Sequence, residues 1–427
     1  MADSVDLLRR NRNYRRMWLG QVVSEVGDYF NNVAVFSLAM ETTGSGLVVS
    51  AVMLSRAIPA ALAGPVAGVV LDRFDRKRIM VASDLVRALV ALGFLLTLRY
   101  REPWLLYVLS ALLMFASPFF TSGRAAILPT VASKAELHAA NSLTQTTQWA
   151  TLTAGTILGG FSTARLGYQW AFILNALSFL FSAAAISRLQ AGGSGFQAQQ
   201  GAQAQSETHP WRDYREGLTY MRSVPLLMGI GLISVGWALG GGAAQILFAL
   251  FGEQVFRRGA EGIGTIWGFA GIGLLAGGAI GHLAGRKVDF PRYKRAVAVS
   301  YVFHGATYVV FSLVESYPLA LLFILLSRVG MAVTTVLNNL ELLRHTPDRF
   351  RGRVFATLES LRWSTMMVSM ALAGVASEFF SPQAIGVVAG LLAVATAVAW
   401  AWADWRGLLP QPAGEVPLDQ RATPGCD

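Results

Sequence analysis

The segment Gly68-Val-Val-Leu-Asp72-Arg73-Phe-Asp75-Arg76-Lys77 joins two long apolar runs, residues 46–71 and 79–98. Each run meets the length criterion for a transmembrane helix, about twenty residues at about 1.5 Å rise each. The charged segment between them reads as a turn at one face of a bilayer. The same grammar repeats outward in both directions, with further runs at 17–40, 103–122, 139–162, 166–187, 225–251, 262–284, 296–314, 317–337, 354–379 and 382–404, twelve in all. Of the 35 lysines and arginines, only five (Arg99, Arg101, Arg165, Arg257, Arg258) fall in the odd-numbered connections and four (Arg56, Arg87, Arg328, Arg362) inside the runs. The rest precede the first run, follow the last, or sit in the even-numbered connections. Cytoplasmic loops carry the excess of basic residues, so both termini and the Gly68–Lys77 turn are expected in the cytoplasm of a bacterial-type plasma (inner) membrane.

Composition excludes several other classes. With 54% hydrophobic and 14% charged residues over 427 positions, and with the apolar residues in unbroken spans, the chain is no ordinary soluble enzyme. The formal net charge of +10 is explained by topology and anionic headgroups, because the basic residues cluster beside spans. Membrane lipids are therefore expected partners and nucleic acid is not. The single cysteine, Cys426, permits no disulfide within one chain and no cysteine-based metal site. There is no Gly-x-x-x-x-Gly-Lys-Ser/Thr loop, no histidine pair four apart and no catalytic constellation. No enzyme activity, cofactor or metal is expected. The basic N-terminus before residue 17 imitates a signal peptide, but the run it precedes is too long and carries Glu25, Asp28, Asn31 and Asn32, which marks a permanent helix.

The longest polar interruption, 188–224, contains Gly192, Gly193, Ser194, Gly195 and a Gln/Ala-rich run to Gln205, a flexible linker by composition. It divides the chain into an N-terminal six-helix bundle (1–187), a linker (188–224), a C-terminal six-helix bundle (225–404) and a tail (405–427). From Trp211 to Arg222 charged and apolar positions alternate at helical spacing, which predicts an amphipathic helix on the cytoplasmic membrane face. Two halves joined by such a linker is a common plan of secondary transporters, with the substrate site at the midplane between them.

The halves also echo each other, since Gly281-His-Leu-Ala-Gly285-Arg286-Lys287 occupies the place in the second half that Gly68–Lys77 holds in the first. The first copy resembles the signature loop of the major facilitator superfamily, Gly-x-x-x-Asp-Arg/Lys-x-Gly-Arg-Arg/Lys, with Asp75 where glycine is usual; the second is degenerate. The resemblance implies an all-α membrane protein of twelve transmembrane helices in two pseudo-symmetric six-helix bundles. It also implies a cytoplasmic gate in which Gly68, Asp72, Arg73 and Arg76 latch the two halves together. Arg10-Asn-Arg-Asn-Tyr-Arg-Arg-Met-Trp18, Ser24-Glu-Val-Gly27-Asp28, Ser83-Asp84-Leu-Val-Arg87-Ala, Ala139-Ala-Asn141-Ser-Leu143 and Arg351-Gly352-Arg353-Val354 resemble the branch containing enterobactin-type siderophore exporters and macrolide efflux pumps. That branch implies proton-driven export of a small organic molecule. One departure is Gly155-Thr156-Ile-Leu-Gly159-Gly160, where the antiporter-type motif has proline in place of Thr156; threonine keeps the backbone donor, so the kink is expected to be smaller.

Coupling chemistry is expected in the first helix. Gln21, Glu25, Asp28 and Asn32 fall at i, i+4, i+7 and i+11 and form one polar stripe. An ionised carboxylate at the centre of a membrane helix costs roughly 2.5–3.5 kcal/mol on insertion scales, so Asp28 must be protonated or paired, and alternation between the two is what a proton-coupled carrier needs. Glu25 is the second candidate, and Arg56, deep in the second helix, is the expected counter-ion of Asp28. Asp84 with Arg87 and Glu359 with Arg362 stand one turn apart, near the cytoplasmic ends, and are expected to stabilise the gate. Arg328 has no local acidic neighbour and is a candidate for an anionic substrate or for pairing with Glu25 across the cavity. His304 is weighed as a proton relay against ordinary hydrogen-bonded structure.

Tyr29, Phe30, Trp149, Trp237, Trp267, Met366, Met367 and Met370 are candidates for lining a deformable apolar cavity, although membrane helices are rich in such residues as packing. The function expected is a monomeric, proton-coupled exporter of a small amphipathic molecule (drug, macrolide or siderophore) by alternating access. The alternatives are a lysophospholipid or lipid carrier, and a transport-inactive binding protein or sensor on the same scaffold.

Overall fold

A computed structural model describes residues 2–133, 136–190, 196, 210–285 and 287–412. Most of the Gly/Gln-rich linker, Arg286 and Cys426 lie outside the described residues. A short helix α1 (Ala2–Arg10) precedes α2 (Arg12–Thr43), α3 (Gly46–Arg73), α4 (Arg76–Gly93) continued by α5 (Leu95–Tyr100), α6 (Pro103–Val131), α7 (Leu137–Leu166) and α8 (Tyr168–Ser187). After the linker come α9 (Pro210–Ser223), α10 (Pro225–Leu250) with a π-helical end at Phe251–Val255, α11 (Gly259–Gly285), α12 (Phe290–Leu313), α13 (Tyr317–His345), α14 (Asp348–Ala376) and α15 (Pro382–Trp405). No strand occurs among the described residues. Counting α4 with α5 as one span, twelve long helices run back and forth.

Nine of these spans are long and apolar enough to cross a membrane by composition alone. The other three, α2, α7 and α14, are 32, 30 and 29 residues long but more polar. They do not offer that polarity to lipid, because α2 packs on α7 and α8, α7 on α11, and α14 on α10 and α3. In hydrocarbon a polar group must find its partner inside the protein, and these helices hold the interior positions. The local starts are conventional: Asp75 Oδ1 caps α4 by accepting from Arg78 N at 2.8 Å, and Asp289 Oδ1 caps α12 by accepting from Arg292 N at 2.9 Å. These are equivalent turns of the two halves. Asp75, the residue that departs from the signature loop, thus has a capping role.

The two ends of the bundle differ. At the end that carries α1, α9 and the close of α15, here called the terminal end, each half has its own apolar core, one around Tyr14, Met80 and Ile127 and the other around Leu226, Tyr293 and Trp400. At the opposite, distal end a single cluster runs through both halves, from Phe36, Val52 and Phe172 to Phe248, Phe251 and Phe311. Hydrogen bonds follow suit. Ser45 Oγ donates to Glu378 Oε1 at 2.7 Å, Gln254 Nε2 to Gly44 O at 2.8 Å and Ser50 Oγ to Met370 O at 2.9 Å. Among the described residues these are the hydrogen bonds that cross between halves, and all lie toward the distal end.

Glycine makes that closure possible. A Cβ on Gly264 would lie 2.3 Å from Thr156 O and one on Gly160 would lie 2.7 Å from Ala260 O, so α7 and α11 meet backbone to backbone. The Gly155–Gly160 segment faces two ways, since Gly155 abuts Tyr29 and Gly159 abuts the Phe30 Cα of α2. Gly264→Val must therefore part this seam, at about 1–3 kcal/mol for overpacking. In a Cys426→Ser background, a cysteine replacing Ser377, which packs against Gly46 in the closed end, should react with an impermeant maleimide about fivefold faster once Gly264→Val is added. An unchanged rate would show that the α7–α11 seam does not hold the distal end shut.

Candidate functional site

The polar stripe of α2 divides into two unlike parts. Near the terminal end Glu25 is well supplied: Gln21 Nε2 donates to Oε1 at 2.7 Å, Thr151 Oγ1 of α7 donates to Oε2 at 2.8 Å, and Arg124 Nη1 of α6 stands 3.5 Å from Oε1. Arg124 is thus the cation that Glu25 meets, and the pairing with Arg328 is not formed. The fourth apolar run closes at 122, which puts Arg124 in a connection, whereas α6 continues to Val131. The apolar residues Ala125, Ala126, Ile127 and Leu128 were the available signal.

One turn further, Asp28 Oδ1 is buried without a hydrogen-bond partner. Arg56, its expected counter-ion, instead donates through Nη2 to Asn32 Oδ1, and its Nη1 is buried and unpartnered. The helix rotation explains the exchange: Asn32 is one turn nearer the distal end, the end from which α3 descends to Arg56. Asn32, Arg56 and Tyr29 line a cavity of about 390 Å³ between the halves, closed from the other side by Gln245, Trp267 and Trp363. Met370 also lines it, while Phe30 packs against the shared core and Met366 is buried within it.

A second cavity, of about 450 Å³, belongs mainly to the C-terminal half. Trp237 and Tyr301 line it, Trp149 reaches it from α7, and Glu359 and Arg362 form its α14 wall, with Arg362 Nη2 donating to Glu359 Oε2 at 2.6 Å. Glu359 and Arg362 were expected at the gate; they pair with each other and face this cavity. Arg328 lies beyond Trp237 in a narrow recess with His304 and Tyr308. His304 Nδ1 is 2.9 Å from Ser327 O and 2.7 Å from Ser327 Oγ, the hydrogen-bonded arrangement of a structural histidine.

The latch expected between the halves is not formed in this state. Gly68 has open space around it, Asp72 and Arg73 are exposed without an ion pair among the described residues, and Arg76 donates to the carbonyls of Leu71 and Ala126 in its own half. Asp84 and Arg87 pair inside α4, with the Arg87 guanidinium between Phe120 and Phe179 at 4.7 and 4.4 Å, so they too remain within one half. The amphipathic α9 was expected to lie on the membrane face, yet it docks on α14: Arg353 Nε is 3.0 Å from Asp213 Oδ1 and Arg353 Nη1 2.8 Å from Glu216 Oε2. Sequence reading had singled out Arg353 without seeing that partner.

A twelve-span helical bundle in two halves, closed at one end over internal cavities, is a transporter architecture. The chain matches the Major Facilitator Superfamily over residues 17–364 and belongs to that family. It is similar to the uncharacterized MFS-type transporter YfiS of Bacillus subtilis (strain 168), at 26% identity over 91% of this chain and 92% of that one. It is also similar to macrolide efflux protein A of Streptococcus pyogenes, at 33% identity over 28% of this chain and 30% of that one. Among solved structures it resembles a bacterial homologue of the iron transporter ferroportin in an inward-facing state, with TM-score 0.70, 18% identity and coverage of 91% and 98%. At that identity the likeness is one of fold. The protein is a multi-pass membrane transporter with efflux-pump relatives.

The Asp84–Arg87 pair allows a direct check of a static role. Removing one member of a buried pair costs about 3–5 kcal/mol because the other charge is stranded, whereas replacing both by apolar residues is often neutral. Arg87→Leu should lower the thermal unfolding midpoint of the detergent-purified protein markedly, and Asp84→Leu/Arg87→Leu should restore most of it. If the single and double variants unfold alike, the pair is no structural unit.

Proposed function

We propose that this protein exports a small amphipathic organic molecule (a drug, macrolide or siderophore-like compound) across a bacterial inner membrane in exchange for protons, by alternating access. It acts as a monomer with both termini in the cytoplasm. The observation that carries the reading is Asp28: a carboxyl in the middle of a membrane helix, beside a cavity between the halves, with Oδ1 buried and unpartnered and with Arg56, the expected counter-ion, bonded to Asn32 instead. Such a group is free to take up and release a proton as the halves rock, and Glu25, tied to Arg124, is the subsidiary site. The sorting of basic residues puts the terminal end in the cytoplasm, so the form described here is open inward and awaits substrate. The similarity to macrolide efflux protein A supports outward transport. In this reading the loop from Gly68 to Arg76 engages only in the outward-open form, when the terminal ends meet.

Energetically one proton is sufficient. Its inward passage through 100 mV releases about 2.3 kcal/mol, enough for a roughly fifty-fold gradient of a neutral substrate. Cells expressing the protein should hold less of a hydrophobic dye or chelator than cells without it, and a protonophore should erase the difference. In proteoliposomes Asp28→Asn should abolish uphill transport driven by an imposed proton gradient while downhill exchange survives, because the amide keeps the shape but cannot titrate. Uphill transport by Asp28→Asn would move the coupling role to another residue, and loss of export on ATP depletion alone, with a protonophore harmless, would overturn proton coupling altogether.

A further inference from the structure

Buried polar atoms without a partner occur in both halves, and in the C-terminal one the stranded acceptors Glu253 Oε2 and Glu341 Oε2 lie on the distal π-helical turn and toward the terminal end. In the N-terminal half the buried, unpartnered atoms include acceptors as well as donors, among them Asp28 Oδ1, Asp84 Oδ2 and Asn31 Oδ1 beside Arg56 Nη1. Around Arg328 the pattern is one-sided. Trp237 Nε1, Tyr301 Oη and Tyr308 Oη are all buried without a partner, and every one of them has a proton to donate. Arg328 itself is buried at 7% exposure, and among the described residues no carboxylate pairs with it. Its guanidinium lies 5.2 Å from the Phe248 ring and 5.6 Å from that of Tyr308, and its one hydrogen-bond contact is the Met331 sulfur at 3.5 Å. Ring faces and a thioether offset part of the cost of burying a cation but leave the planar donor fork unsatisfied.

The other titratable groups nearby do not supply the missing acceptor. The Ser327 carbonyl can only accept, so His304 Nδ1 carries the proton and the ring is held against α13. Glu359 is bound to Arg362 on the wall of the adjoining cavity, and Glu341 to Arg344 toward the terminal end. The recess at Arg328 is narrow and backed by Gly240, Gly241 and Gly390, while Trp237 also lines the 450 Å³ cavity next to it. The recess itself holds only about 10 Å³, so a head group from a molecule seated in the cavity against Trp149, Met331 and Phe355 reaches the guanidinium only when Trp237, the side chain common to both, turns aside.

Resting on the transport reading above, we propose that Arg328, with Tyr308, Tyr301 and Trp237, forms an anion-recognising subsite, and that the exported molecule carries a carboxylate or similarly acidic head on an apolar body. The carboxylate presents two acceptor oxygens to the guanidinium fork, with phenol and indole donors completing its shell. The apolar body stays in the larger cavity, where no charge faces it except the internally neutral Glu359–Arg362 pair.

The test is a binding measurement that needs no transport. Dansylglycine and its methyl ester share an aromatic body and differ in the carboxylate; each is titrated into the detergent-purified full chain at pH 7.5 and followed by dansyl fluorescence. The wild type should bind the acid at least about tenfold tighter than the ester, the scale expected when built donors lose their acceptor. Arg328→Gln should bring the two within about twofold by weakening only the acid, and Tyr308→Phe, which keeps the ring, should weaken the acid about threefold and leave the ester unchanged. A ratio near one in the wild type, or a preference that survives in Arg328→Gln, overturns the proposal. Should Arg328→Gln not fold, the wild-type ratio and Tyr308→Phe decide it. Proton-driven export of a neutral dye with a ratio of one would leave the transport reading standing, and a preserved ratio without export would do the reverse.

Discussion

Everything in this architecture hangs on the contact in which Gly160 and Gly264 bring α7 and α11 backbone to backbone. Two helices approach this closely only where neither carries a Cβ, and in lipid such contacts replace the hydrophobic drive that would hold a soluble core together. The seam fixes one end of the molecule, and the shared aromatic core around Phe248 and Phe311 grows from it. At the other end the halves are free to keep separate cores. The cavities lie where the seam gives way.

Charge inside the bundle follows a local rule. Asp84 with Arg87, Glu359 with Arg362 and Glu341 with Arg344 each pair one turn apart on one helix, so each needs nothing from the opposite half. A bundle that must separate and rejoin at both ends gains from this, because no buried charge is stranded when the halves rotate. The exceptions are then informative. Glu25 and Arg124 pair across two helices of one half, while Asp28 and Arg56 in the N-terminal half and Arg328 in the C-terminal half have no ion-pair partner among the described residues.

Much of the fold was legible because membrane spans obey a length rule and basic residues obey a sidedness rule; twelve runs and their alternation followed from these. The helix ends were less legible. Amphipathic ends such as Gly123 to Val131 leave the apolar window while the backbone stays helical, and Arg124 was lost with them. Spacing along one helix identified the stripe from Gln21 to Asn32, but the choice of Asn32 rather than Asp28 by Arg56 depends on how α3 is rotated against α2, which one-dimensional periodicity does not encode. The Gly68–Lys77 loop reads correctly as a turn, the cap that Asp75 supplies to α4 appears only in the structure, and the expected contacts of Asp72 and Arg73 across the bundle are not formed here. Arg353 shows the converse case: a motif residue whose partner, α9, is distant in sequence and adjacent in space.

The scale of the distal closure fits a coupled carrier. Three hydrogen bonds cross between the halves among the described residues, from Ser45, Ser50 and Gln254. At about 0.5–1.5 kcal/mol net each they amount to a few kcal/mol, the same order as the roughly 2.3 kcal/mol that one proton gains across 100 mV. Neither dominates. Were the closed end held by a network of buried interhalf ion pairs, a single protonation would be too small to release it; held by two bonds to carbonyls, one exposed bond to a carboxylate and a glycine seam, it lies within reach of one. Under the proposed coupling, the absence of an interhalf ion pair among the described residues is therefore what lets a lone carboxyl such as Asp28 govern a motion of the whole bundle.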